Sequence, residues 1–117
     1  MELHSLSIRE AHELLSTKKV SSLELTTAAL KHIHKTDPHI NAFVTVADEL
    51  ALEQARQADE RLRTGDRVTP LTGIPFAVKD CISTKNVRTT CSISAYRASP
   101  TSRITCHRRN TRSSARL

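Results

Sequence analysis

The sequence is poor in the residues that build most small folds. Its 117 residues include no tryptophan, one methionine, three aromatics (Phe43, Phe76 and Tyr96) and two glycines (Gly65 and Gly73). So few large apolar side chains leave room for one modest core, and a chain of this length buries a smaller share of its surface than a larger domain does. Two glycines exclude a collagen-like rod, and the lack of sustained heptads or a fixed repeat period excludes coiled-coil and solenoid arrays. No apolar run approaches the roughly 20 residues needed to cross a bilayer. The first residues, Met1 to Ser5, lack the basic start and apolar stretch of a secretory signal, so a cytoplasmic protein with no membrane partner is expected. Cysteine is scarce and unpaired in pattern. Cys81, Cys91 and Cys106 are odd in number and form no C-x-x-C pair, which argues against both a disulfide framework and a zinc site. Six histidines do not change that, because His32 and His34 are two apart and fall on different faces of a helix, whereas helical ligand pairs are three or four apart. No metal site is expected.

Acid is absent from one end of the chain. Residues 1–91 carry 12 basic and 12 acidic residues, which cancel. Residues 92–117 carry Arg97, Arg103, Arg108, Arg109, Arg112 and Arg116 with no lysine and no acid, and these six account for the whole net charge of +6. The same stretch holds six serines and no regular apolar stripe, so a disordered Arg/Ser-rich tail is expected. A break this sharp fits either a basic segment that neutralises nucleic-acid phosphates weakly and without sequence preference, or a stretch of different origin. Tyr96 alone is available for base stacking, so a small RNA-binding or partner-binding protein acting through the tail is the alternative and not the main reading.

What is present, before residue 92, is well punctuated. Ser7-Ile8-Arg9-Glu10 and Ser21-Ser22-Leu23-Glu24 are capping boxes, each opening a helix. Ile8, Ala11 and Leu15 form the inner stripe of the first helix, and Leu23, Thr27, Leu30 and Ile33 that of the second. Asp37-Pro38 is expected to end the second helix, since the residue before proline is pushed from the helical region. His12 and His34, at or near inner faces, read as hydrogen-bonded packing residues. A short β-prone segment follows at 39–46. Asp48 can cap a third helix with Ala47, Ala51, Ala55, Ala58 and Leu62 inward, and Gly65 suits its left-handed end. Thr69-Pro70-Leu71-Thr72-Gly73 is a turn, and Ile74, Phe76 and Val78 alternate as in a strand that starts irregularly at Pro75. Helix, helix, strand, helix, strand is the opening of an α/β architecture.

Chemistry concentrates at the end of that last strand, where Lys79-Asp80 follows an apolar run. Beyond a strand end is where α/β proteins place reactive groups. A lysine acts as a base only when neutral, a state that burial or neighbouring positive charge favours. The bland reading is a solvated turn pair. Cys81 and Cys91 read as small half-buried residues and not as nucleophiles.

Residues 1–91 resemble the amidase signature family, in particular its branch of A subunits of glutamyl-tRNA(Gln)/aspartyl-tRNA(Asn) amidotransferases. The residues that carry the resemblance are the N-terminal helical pair, Asp37-Pro38-His39-Ile40-Asn41-Ala42-Phe43, Leu71-Thr72-Gly73-Ile74-Pro75-Phe76-Ala77-Val78-Lys79-Asp80, and Thr84 to Cys91. The resemblance implies an α/β fold in which residues 1–91 supply the helical hairpin, first strands and one helix of a mixed-sheet amidase-signature domain, left incomplete, with 92–117 as the tail. It also implies that Lys79 is the general base of a Ser–cis-Ser–Lys triad, relaying a proton through a bridging serine while a second serine attacks an amide. In such A subunits glutamine is the amide donor. The B subunit, with ATP and Mg and with the C subunit in the complex, uses the ammonia to amidate mischarged Glu-tRNA(Gln) or Asp-tRNA(Asn). This chain departs from the pattern. It contains no Gly/Ser-rich run for the two serines, so a truncated, inactive form that binds no cofactor itself is expected. Cys81 stands where relatives commonly have Asn, and Asn86 where they have Gly. Relatives continue past residue 91 into an Ala-Thr-Val-Val-like strand. Codons for Cys106-His107-Arg108-Arg109 read one base later can spell that peptide, so a frameshifted tail is a second expectation for 92–117.

Overall fold

The computed structural model describes residues 2–85, 87 and 90; the expectations for Cys91 and for the 92–117 tail lie outside them. A 3-10 turn at Leu3–Ser5 precedes three helices, α1 (Ile8–Ser16), α2 (Ser22–Ile40) and α3 (Asp48–Thr64). No strand occurs among the described residues. Both segments read as strands, 39–46 and 74–78, differ from expectation. His39 and Ile40 close α2, and 74–79 has no regular structure. A strand is stabilised by hydrogen bonds and side chains of its neighbour, so β-prone sequence without a partner strand stays unpaired.

Both capping boxes form. The Ser7 hydroxyl accepts from the Glu10 N–H at 3.3 Å, and the Glu10 carboxylate accepts from the Ser7 N–H at 2.8 Å. Ser21 and Glu24 repeat this at 3.1 and 2.8 Å. These bonds favour the charged carboxylates and hold both glutamates below their usual range: at Glu10 the Ser7 hydroxyl contributes most, at Glu24 the Ser21 N–H. A lowered folded-state pKa adds stability that is present above the unfolded value and lost as pH falls through the folded one. Acid titration followed by far-ultraviolet circular dichroism should therefore show helix loss below the usual glutamate range, and that acid limb should shrink in Glu10→Gln and Glu24→Gln.

α1 ends where Lys18 turns left-handed (φ 56°) and the Lys19 N–H reaches back to the Leu14 carbonyl at 2.9 Å. α2 does not stop at Asp37-Pro38. Proline's fixed φ is helical, so at position 38 it removes only the N–H that would have reached the His34 carbonyl. The helix ends three residues on, where Asn41 is left-handed (φ 54°), and the Asp37 carboxylate accepts from the Ala42 and Phe43 N–H groups at 2.7 and 3.1 Å. Asp48 is likewise not the cap of α3. Ala47 occupies that position with no side-chain bond, and Asp48 is the first helical residue, 2.6 Å from His34 Nε2.

Ala11, Leu15 and Leu25 form the buried centre, with Leu3, Leu6, Val20, Leu62 and Ile74 around it. Ile8 is exposed, so α1 turns inward only from Ala11. On α2 the buried face is Ser22, Leu25 and Thr26. Leu23, Thr27, Leu30 and Ile33 are half-buried to one side of it. α2 packs chiefly on α3, whose stripe is as expected: Ala55 is buried, and Ala47, Ala51, Ala58 and Leu62 are half-buried. Gly65 ends α3 in the left-handed conformation at φ 76°.

Candidate functional site

The segment that carries Lys79 is rooted at Gly73. The turn before it closes through the Thr72 N–H on the Thr69 carbonyl (3.0 Å) and the Ile74 N–H on the Leu71 carbonyl (3.2 Å). Gly73 is left-handed (φ 85°), and a Cβ there would lie 3.1 Å from the Ser22 Cβ and 3.3 Å from a Leu62 methyl. Glycine is needed at this point both for its backbone angle and for the lack of space. The Ser22 hydroxyl donates to the Gly73 carbonyl at 2.8 Å. Ile74 then packs on the core, and the chain leaves the helices at once.

Beyond Ile74 the side chains face solvent. Phe76 is 84% exposed, Val78 43%, and Lys79 is exposed as well. Leu71 and Ile82, on either side, are also exposed. The burial that a neutral lysine requires is therefore not provided by the described residues. The Lys79 carbonyl accepts from the Ile82 N–H at 2.9 Å, which makes the expected turn. Asp80 has a different task from its neighbour: its half-buried carboxylate accepts from the Thr90 N–H at 2.8 Å and from the Thr90 hydroxyl. Thr90 is buried. Cys81 is a free thiol and exposed, not half-buried as its residue type suggests, because it sits on the outer side of this turn.

Two networks escape a reading by spacing alone. Asp59 lies on the inner face of α3, one turn after Ala55, and its carboxylate accepts from the Ser22 N–H (2.6 Å) and the Leu23 N–H (3.1 Å) at the start of α2. An acid amid an alanine stripe is the available signal. The second is midway along α2, where the His4 and His32 rings stack 3.9 Å apart while His34 turns to Asp48. That split bears out the two-face reading of His32 and His34. His12, half-buried, lies 3.4 Å from the Ser16 hydroxyl. Among the described residues no group of three or more His, Cys, Asp or Glu could hold a metal, and no helix is long and apolar enough to cross a membrane.

The Amidase family profile matches residues 24–103, more than half of the chain and the whole lysine-bearing segment. Among curated proteins the chain is similar to the A subunit of the glutamyl-tRNA(Gln) amidotransferase of Dehalococcoides mccartyi strain CBDB1, with 52% identity over 91 residues, 78% of this chain and 18% of that protein. The protein of the same name from Thermoanaerobacter pseudethanolicus is 47% identical over 92 residues, 79% of this chain and 19% of that one. That from Geobacter metallireducens is 50% identical over the same length. The chain thus spans less than a fifth of the length of these relatives. No solved structure matches it significantly.

Proposed function

Because the chain belongs to the amidase family, we propose that residues 1–91 are the lysine-bearing N-terminal part of an amidotransferase A subunit, with Lys79 as its general base. The observation that carries this reading is the Gly73-to-Asp80 segment, rooted by a required glycine and projecting a lysine beyond the helices. The match to A subunits at about 50% identity supports it. In the assembled enzyme Leu71, Phe76, Val78 and Ile82 are covered by the remaining four fifths of the chain, which pairs with the extended segment and buries Lys79. Covering one such large side chain contributes about 1.5–3 kcal/mol, so the docking is favourable before any polar contact is counted.

The chemistry follows from that burial. A neutral Lys79 amine takes a proton from a bridging serine, which takes one from the nucleophilic serine as it attacks the amide carbon of glutamine. The C–N bond of the tetrahedral adduct then breaks, an acyl-enzyme remains, and ammonia leaves with the relayed proton. The B and C subunits and a mischarged tRNA are the partners in this reading. ATP and Mg belong to the complete complex, and no step in this chain runs through them. The expected compartment is the cytoplasm.

The 117 residues contain no Gly-Ser-Ser segment, so this polypeptide supplies the base without the segment to which the resemblance assigns the two serines. Alone it should release no ammonia from glutamine. A graft of residues 1–91 in place of the matching fifth of the Dehalococcoides mccartyi protein should restore glutamine hydrolysis, read as ammonia release. Turnover by the 117-residue chain alone, or a soluble but inert graft, would overturn the proposal.

A further inference from the structure

The position of Lys79 is set from a distance, by a carboxylate on another helix. We propose that Asp59 and Ser22 are positioning residues for Lys79, acting through the Gly73 carbonyl; the inference rests on the reading of Lys79 as the base. The first N–H groups of a helix have no partner within it. At α2 the Ser21 hydroxyl takes that of Glu24, which leaves those of Ser22 and Leu23. Both point at α3, where water cannot reach Ser22, and the two oxygens of Asp59 accept one each. A carboxylate at this end also meets the positive pole of the helix dipole.

Pinning the Ser22 backbone fixes where its side chain can go. Ser22 is 1% exposed, and its hydroxyl donates to Gly73. A Cβ at Gly73 would crowd Ser22 and Leu62 at 3.1 and 3.3 Å, so the root of the segment lies close against α2 and α3. Five residues lie between Gly73 and Lys79, so the six Cα–Cα steps reach at most about 20 Å at roughly 3.3 Å per step. Over that lever a rotation of about 10° at the root moves the amine by about 3.5 Å, while a misplacement of about 1 Å is enough to lower a rate about 100-fold. Small errors at Ser22 are therefore large errors at the reacting atoms.

Amide hydrogen exchange on the 117-residue chain tests the geometry. In Ser22→Ala the Ile74 amide, which closes the turn at the root, should exchange about tenfold faster while the Leu15 amide in α1 stays within about twofold. Asp59→Asn keeps one acceptor oxygen and turns an NH2 toward the other N–H, so it should act in the same direction and less. In the graft, Ser22→Ala should lower kcat for glutamine at least tenfold and leave KM within about twofold, because the lysine moves and the glutamine site does not. An unchanged Ile74 amide, a Leu15 amide that speeds up as much as Ile74, or a graft whose KM alone changes would each overturn the inference. Failure of the underlying reading looks different: a graft that stays active as Lys79→Ala removes the base and leaves the exchange result standing.

Discussion

Lys79→Ala in the graft is expected to lower kcat for glutamine at least about 1,000-fold with KM nearly unchanged. Removal of a positioned base typically forfeits about 100- to 10,000-fold, and members of a proton relay act as a unit, so losing one approaches the loss of all. In the proposed mechanism Lys79 acts on a serine and not on glutamine, which is why KM should hold. Lys79→Arg separates base from charge. Arginine keeps the positive charge and similar length but is never deprotonated, so it should be as inactive as alanine. If Lys79 only balanced charge or packed its stem, arginine would rescue. Activity of Lys79→Ala within tenfold of wild type would remove Lys79 from the mechanism.

The parts of this structure that are legible in the sequence are those decided within four residues. The capping boxes at Ser7 and Ser21 form as read, because hydroxyl, carboxylate and both N–H groups belong to one turn. Gly65 ends α3 for the same local reason. The inner stripe of α2 differs from the one its spacing suggests: Leu23, Thr27, Leu30 and Ile33 are half-buried, while Ser22, Leu25 and Thr26 are buried. Burial here follows hydrogen bonding to Gly73 and Asp59, which lie 51 and 37 residues away from Ser22. Pro38 conflicts with the residue before it, yet its own φ and the Asp37 carboxylate beyond it let the helix run on. The segment at 74–78 has strand-like alternation without a strand, since alternation alone supplies no ladder and no strand pairs with it among the described residues. At the site, the family motif around Lys79 is legible in the sequence, but the contacts of Gly73 with Ser22, and of Ser22 with Asp59, are not. Asp59 is a charged helix residue by sequence and a half-buried capping group by contact.

Gly73→Ala should be the most damaging single-methyl change in the described residues, and Gly65→Ala shows why. Both glycines have positive φ, 85° and 76°, so an L side chain adds a backbone term of about 1–2 kcal/mol at either position. At Gly65 nothing lies within 4 Å of the added Cβ, and the cost ends there. At Gly73 the methyl meets Ser22 at 3.1 Å and Leu62 at 3.3 Å. Ser22 must give by a few tenths of an ångström, against its bonds to Asp59 and to the Gly73 carbonyl, so overpacking adds a further term of about 1–3 kcal/mol. A total of about 2–5 kcal/mol is a large share of the roughly 5–15 kcal/mol that holds a small domain folded. Urea denaturation of the two variants of the 117-residue chain should place Gly73→Ala well below Gly65→Ala, and the gap between their midpoints isolates the contact from the backbone angle. Equal midpoints would mean that Ser22 and Leu62 move aside freely. A root that soft could not hold a lysine about 20 Å away to within the distance a proton transfer tolerates.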